Sequence, residues 1–212
     1  MKKAWIVTIG REFCSGGAEV AQKLAQRMNV PFYDRDLIDH AVDFTSLSRE
    51  EVEKNEEKAE RRKGFLYGGR LYRDDPSLEM PVHARIFEAQ CEAIRRIAGE
   101  GSSVIVGRCA DYVLGECSKV VEVVSVFIRA DLDKRVKRAM RNYDLSEADA
   151  RKLILKTDKI RSRYYERHTG REWGSVGNYR LIVDTGEFGT EGAAALIETA
   201  VMQLISNDEI EL

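Results

Sequence analysis

The residues best equipped for chemistry lie at 10–19, GREFCSGGAE, between a short apolar run (AWIVTI, 4–9) and a segment whose apolar residues recur at helical spacing. A Gly/Ser-rich turn between a strand and a helix can aim several backbone N–H groups, and the positive end of a helix, at one anion. Gly16 and Gly17 allow close approach of the backbone, and Ser15 adds a hydroxyl donor. The chemistry would be phosphate binding, with a purely structural turn as the alternative. The template GxxxxGK[ST] is not met. Counted from Gly10 the next glycine comes one residue late, and Gly17 and Ala18 stand where the lysine and the hydroxyl residue belong. Glu12 adds a carboxylate that would repel phosphate unless it pairs with Arg11 or Arg108, or sits near Mg²⁺; a solvated Glu is the plain alternative.

Two further stretches carry cations. VIVGRCADYVL (104–114) puts Gly107 and Arg108 at the C-terminal end of an expected strand, where open α/β sheets bind ligands. Arginine can grip a phosphate with two parallel hydrogen bonds. KTDKIRSRYYERHTGREW (156–173) crowds Lys156, Lys159, Arg161, Arg163 and Arg167 towards one helix end. Such a run is either solvated charge or a basic lid over a phosphoryl-transfer site. The run DKRVKRAMR (133–141) suits the exposed face of a helix. Cys14 lies close to a helix N-terminus, which lowers a thiol pKa, but no redox role follows. Trp173 suits an anchor for its loop better than a platform for a base.

Strands and helices must position these groups. Short, β-branched apolar runs predict strands at 4–9, 103–107, 120–128 and 179–185, and the short run PFYD (31–34) reads as a further strand. Between them, Val20, Leu24 and Met28 mark a helix over 17–28, with Asn29 as its stop, and Asp34 is placed to cap DLIDHAVDF. Further helices are expected over 82–101 and 131–142, from Ser146 with Asp149 three residues later, and over 191–205. The stretch 48–63 is almost wholly charged and reads as an exposed helix or hairpin, and 64–81 as loop. Strands alternating with helices imply parallel pairing through right-handed crossovers.

Composition narrows the partners. The 34 Lys and Arg against 36 Asp and Glu leave a net charge of −2, which gives no overall pull to nucleic acid or membrane. The four cysteines form no CxxC pair, and with three histidines neither zinc nor a disulfide framework is supported. The N-terminal apolar run is too short for a secretion signal, and no stretch reaches a membrane span, so a cytoplasmic protein is the default expectation.

Taken together and in order, the stretches VTIGREFCSGGAEVAQKLA, PFYDRDLIDHAV, VIVGRCADYVL, VFIRADLDKRVKR, DKIRSRYY and NYRLIVDTGEFG resemble the cytidylate kinase-like family, a branch of the P-loop nucleoside monophosphate kinases. The resemblance implies a P-loop NTPase-like, three-layer α/β fold: a five-stranded parallel sheet, a helical insertion and a lid in a single domain. The core would be 1–43 and 86–212, the monophosphate-binding insertion 44–85, and the lid around 156–177. It further implies that Arg11, Glu12, Cys14, Ser15, Gly16, Gly17 and Ala18 cradle the phosphates of ATP, and that Asp34 and Arg35 begin the acceptor-binding segment. Arg108 would contact the acceptor phosphate, and Asp158 and Arg161 would be the lid's Asp-x-x-Arg, giving Arg11, Arg108, Asp158 and Arg161 as the catalytic set. Cytidylate kinases proper have Lys in place of Gly17, Gly-Thr in place of Ala18 and Glu19, and an earlier lid arginine where this chain has Ile154.

The activity so implied is ATP- and Mg²⁺-dependent transfer of a γ-phosphoryl to a nucleoside monophosphate or similar phosphate acceptor, with Arg11 in place of the missing lysine's charge and no metal ligand assigned. A nucleotide-binding regulatory module with little or no turnover is the alternative, since loss of one charge-stabilising donor costs about 10²–10³ in rate. A third reading makes the 48–63 arm a protein-interaction surface. The oligomeric state is open, a homodimer among the options.

Overall fold

A computed structural model of the chain describes residues 4–34, 82–115 and 121–208. The described elements are β1 (Trp5–Arg11), α1 (Gly17–Met28), β2 (Phe32–Tyr33), α2 (Val82–Glu100), β3 (Ser103–Val106), α3 (Ala110–Gly115), β4 (Glu122–Arg129), α4 (Leu132–Tyr143), α5 (Glu147–Thr169), a 3₁₀ turn at Val176–Asn178, β5 (Leu181–Asp184) and α6 (Thr185–Asp208). The expected helix after Asp34, the charged stretch 48–63, the loop 64–81, Arg35 and Cys117 lie outside the described residues.

The five strands form one parallel sheet in the order β2-β3-β1-β4-β5. β1 is central, with Ile6 opposite Ser103 of β3 and Val123 of β4. A strand covered on both faces needs apolar side chains on both, which is why AWIVTI shows no alternation: Ile6, Val7 and Ile9 are all buried. On one face Val7, Ile9, Val104 and Val126 pack with Val20 and Leu24 of α1 and Ile197 and Val201 of α6. On the other, Ile6 and Ile105 pack with Ile94 and Ile97 of α2, Leu114 of α3 and Tyr165 of α5. A smaller core of Val136, Ala139, Ala150 and Ile154 joins α4 to α5, with Phe13 and Cys14 against it.

Consecutive strands leave β1 in opposite directions, to β3 on one side and β4 on the other. Chain crossovers therefore diverge there, and a crevice opens beyond the C-terminal strand ends. The loop after β1 and the turn after β3 both run into it.

Helix ends follow the sequence signals closely. Asn29 ends α1 in the left-handed conformation (φ 51°), and Ser146 Oγ accepts from the Asp149 N–H at 3.2 Å while donating to Asp149 Oδ2 at 2.7 Å. Three boundaries differ from expectation. β1 runs on through Gly10 to Arg11, which pairs with Ile128, because β4 is long enough to extend the ladder. β2 shrinks to two residues at the sheet edge. The last helix begins at Thr185 instead of 191, with a break at Gly189 (φ 64°, ψ 177°) that only glycine adopts readily.

Candidate active site

The loop between β1 and α1 is held from three sides. The Glu12 N–H donates to the Ile128 carbonyl at 3.0 Å, Ser15 Oγ donates to the Glu12 carbonyl at 2.9 Å, and Thr185 Oγ1 donates to the Ser15 carbonyl at 2.5 Å. Thr185 thus ties the end of β5 to the loop. Gly16 caps α1 in the left-handed region (φ 85°) without any side-chain hydrogen bond. The first N–H groups of a helix so capped are left for an outside acceptor, the arrangement that suits phosphate. Gly17 and Ala18 form the start of that turn, Ser15 is buried, and Ala18 is exposed. Cys14 (φ 58°) corrects the expectation of a lowered thiol pKa: burial pushes it up, outweighing Arg138, Arg161 and Arg135.

Arg11 explains what the lysine's absence allows. A Cβ on Gly17 would stand 2.5 Å from Arg11 Cβ and 3.0 Å from its Cγ. A side chain at 17 and the Arg11 stem therefore compete for one space. Further along, the Arg11 guanidinium passes beneath Gly107, where Nη1 would collide with any Cβ. Its Nη2 meets Asp34 Oδ1 at 3.5 Å. The turn over it is unusual, with Gly107, Arg108 and Cys109 all at positive φ (80°, 53° and 55°). Two non-glycine residues in that region store strain, and such turns concentrate at ligand sites. From α5, Arg161 Nη1 donates to the Arg11 carbonyl at 3.2 Å, with its guanidinium 5.4 Å from the centre of the Phe13 ring.

Arg11, Arg108 and Arg161 line one cavity of about 260 Å³, together with Asp34. Burial first, then the charges of Arg161 and Arg108, bring the Arg11 pKa down to about 10, while Asp34 acts the other way. Three guanidiniums against two carboxylates, Asp34 and Asp111, leave a surplus of positive charge that a bound anion would relieve. The lining also includes aromatic and polar residues: Tyr164, Tyr165, Trp173, Tyr179 and Asp111. Trp173 fulfils the expected anchoring role, its ring edge-on to Phe127 at 5.3 Å. None of Asp111, Tyr165 and Tyr179 stands out in the sequence, because Asp111 lies four residues past the glycine and the tyrosines come from other elements.

Glu12 and Asp158 lie behind the loop. Glu12 Oε2 accepts from the Ala130 N–H at 2.9 Å and lies 3.6 Å from Arg135 Nε, and burial raises its pKa. Its cationic partner is Arg135, not Arg11 or Arg108 as the sequence suggested. Asp158 accepts from the Phe13 N–H at 2.7 Å and pairs with Arg135 Nη1 at 2.5 Å. Arg135 in turn reaches the Phe13 carbonyl at 3.3 Å. Asp158 is thus placed where it fixes the loop backbone, and it is absent from the cavity wall. The run 133–141 is mostly exposed, as expected, but Arg135 is 7% exposed. Its signal was present: Leu132, Arg135, Val136 and Ala139 make one stripe at helical spacing. In 156–167, Lys156, Lys159 and Arg163 are exposed or half-buried charge while Arg161 turns inward. Ile154, at the place of the family's earlier lid arginine, is fully buried.

The structure therefore gathers Arg11, Asp34, Arg108 and Arg161 around one cavity, and Ser15, Gly16, Gly17 and Ala18 at the start of α1. Among the described residues no group of three or more His, Cys, Asp and Glu is placed to hold a metal ion, and no helix is long and apolar enough to cross a membrane. A magnesium ion commonly rests on substrate phosphates with one or two carboxylates, so the residues present fit a nucleotide-borne ion better than a fixed site.

Comparison with known proteins agrees with this picture. Residues 6–187 match the model of the cytidylate kinase-like family. The chain is 21% identical over 210 residues to a cytidylate kinase of Methanopyrus kandleri, covering 96% of each chain. It is similar to an uncharacterized protein from Eubacterium ventriosum of known structure (29% identity, TM-score 0.67, 93% of this chain and 98% of that one). It also shares the fold of shikimate kinase from Bacteroides thetaiotaomicron (12% identity, TM-score 0.54, 93% and 98% covered). The family supports a phosphotransferase of the kinase type, and the solved structures show the fold.

Proposed function

Since the chain belongs to the cytidylate kinase-like family, we propose that it transfers the γ-phosphoryl of ATP to a nucleoside monophosphate or similar phosphate acceptor bound in the cavity beside Arg11. The observation that carries this reading is Arg11 itself. It starts from the strand at the place where a loop lysine's stem would lie, and it delivers its charge between the phosphate loop and the acceptor cavity. In the reaction, an acceptor phosphate oxygen forms a bond to Pγ as the bond from Pγ to the β–γ bridging oxygen breaks, and ADP leaves with that electron pair. The protein contributes positioning and charge stabilisation.

The N–H groups at the start of α1 hold the β- and γ-phosphates of ATP, with Mg²⁺ carried on the nucleotide. Arg108, on its strained turn, holds the acceptor phosphate, and Asp34 keeps Arg11 directed at it. Arg161 closes over the transferring group as part of a lid spanning 156–177. Asp158 acts through the Phe13 N–H and Arg135, as a positioning residue. A cytoplasmic setting suits an ATP-dependent enzyme of this kind.

The test is ADP release from ATP and Mg²⁺ with a panel of phosphate acceptors, beginning with cytidine monophosphate. Phosphorylated acceptor is the expected product. A folded protein that transfers to none of them overturns the proposal. The absence of a side chain at Gly17 favours one second reading, a nucleotide-binding module without useful turnover, and calorimetry showing ATP binding in a protein that transfers nothing would establish it.

A further inference from the structure

One wall of the acceptor cavity has chemistry that phosphate holding does not use. Asp111, in the first turn of α3, lines the cavity with Arg11, Arg108 and Arg161. A carboxylate there is costly beside a phosphate unless it faces a different part of the ligand. Asp111 is built in firmly. Its Oδ2 accepts from Tyr165 Oη at 2.6 Å. Behind it the Tyr179 hydroxyl shares a hydrogen bond with Tyr165 and takes another from the Gly174 N–H. A carboxylate offers about four acceptor directions. Tyr165 takes one, and the carboxylate lines the cavity, where it can accept from a ligand as well.

We infer that Asp111, oriented by Tyr165, is a specificity-determining residue that reads a hydrogen-bond donor on the acceptor, a hydroxyl or an amino group, at the end away from its phosphate. The inference rests on the proposed transfer reaction. It gives the acceptor two poles: an anionic group among the three arginines and a donor at Asp111. The volume of about 260 Å³ restricts that acceptor to a small molecule. An acceptor with only acceptor atoms at its far end sets lone pairs against this half-buried carboxylate and is disfavoured.

The groups facing Asp111 are Tyr165 of α5, Tyr179 before β5, Arg171 of the intervening loop, and the Cys109 thiol. Burial raises the Asp111 pKa despite the hydrogen bond from Tyr165 and the charge of Arg171. The ionised form, which accepts the substrate donor, is therefore lost as pH falls at a higher pH than for an ordinary aspartate. Acceptor affinity should fall with it.

The test uses cytidine monophosphate as the probe, by calorimetry and by steady-state transfer from ATP and Mg²⁺, with the wild type, D111N and Y165F. Asn keeps the shape and still accepts from Tyr165, so D111N is expected to fold with an unchanged unfolding temperature. A hydrogen bond to a charged group is worth about 10- to 100-fold in binding. D111N should raise KM for cytidine monophosphate by that factor, leave KM for ATP and kcat within a few-fold, and flatten the fall in affinity on the acid side. Y165F should raise the same KM by less. If the wild type binds the probe and D111N binds it equally well with the same pH profile, the role of Asp111 is overturned while the transfer reaction stands. A D111N protein that loses ATP affinity, kcat and stability together assigns Asp111 to the scaffold instead. If the wild type neither binds cytidine monophosphate nor phosphorylates any acceptor of the panel, the transfer reading fails, and this inference with it.

Discussion

Putting the lysine back should harm this protein. In G17K, the new Cβ would be fixed by the first turn of α1, 2.5 Å from Arg11 Cβ and 3.4 Å from Ile128 Cβ. Neither neighbour can swing aside, because both are Cβ atoms of paired strands, Arg11 opposite Ile128. The conflict is with the root of the arginine, so turning its guanidinium away does not help. Forcing atoms into a packed site costs about 1–3 kcal/mol. A cation in the first turn opposes the helix dipole by about 0.3–1 kcal/mol. Removing a helical glycine returns up to about 1 kcal/mol. The balance is a loss of about 1–3 kcal/mol, or roughly 2–12 °C in unfolding temperature for a chain of this size.

Two double mutants separate sterics from charge. R11G/G17K removes the arginine Cβ and should regain most of the loss, with a coupling of about 1–3 kcal/mol between the sites. R11A/G17K keeps the Cβ and should regain little. Thermal unfolding followed by circular dichroism reads all four proteins. Equal rescue by R11A and R11G would show that repulsion among cations, and not competition for space, sets the cost. A G17K protein as stable as the wild type would refute the idea that Arg11 occupies the space of a lysine at position 17.

Other perturbations test the remaining supports. D158A removes one of the two carboxylates that hold Arg135, whose side chain is 8% exposed, leaving Glu12 Oε2 at 3.6 Å, and should destabilise by about 1–3 kcal/mol, read as a lower urea midpoint; D158N, which still accepts from Phe13, should lose less. Glu19 has its pKa held down to about 2, by the Thr190 hydroxyl first and by Arg138 and Lys23 as well. A carboxyl with a lowered folded pKa stabilises above its unfolded value of 4.5 and loses that effect as pH falls towards 2, so urea midpoints should drop between about pH 5 and 3 and drop less in E19Q. R161A removes the guanidinium beside Arg11, and kcat for transfer to cytidine monophosphate should fall by about 10²-fold or more in a protein that still binds ATP.

The fold was legible because the sequence repeats one physical rule. The apolar runs are short and, PFYD apart, β-branched, each is followed by a helical stripe, and the caps at Asn29 and Ser146 mark the ends where the backbone turns. The cation cluster was legible in part for the same reason: Arg11 and Arg108 lie at strand ends that the topology brings to one crevice, and Arg161 reaches it from within α5. What stayed hidden are pairings that depend on depth. Nothing in DKRVKRAMR distinguishes Arg135 by type, and only its place on the stripe of Leu132, Val136 and Ala139 takes it inside to Glu12 and Asp158. Asp158 was legible as a motif residue, but its contact with the Phe13 N–H spans 145 positions in sequence. The exchange at Gly17 is the sharpest instance. Read along the chain, a glycine there is a lost function. In three dimensions it is the clearance that lets a strand arginine rise into the site, so the missing lysine and the extra arginine are one feature of the packing and must change together.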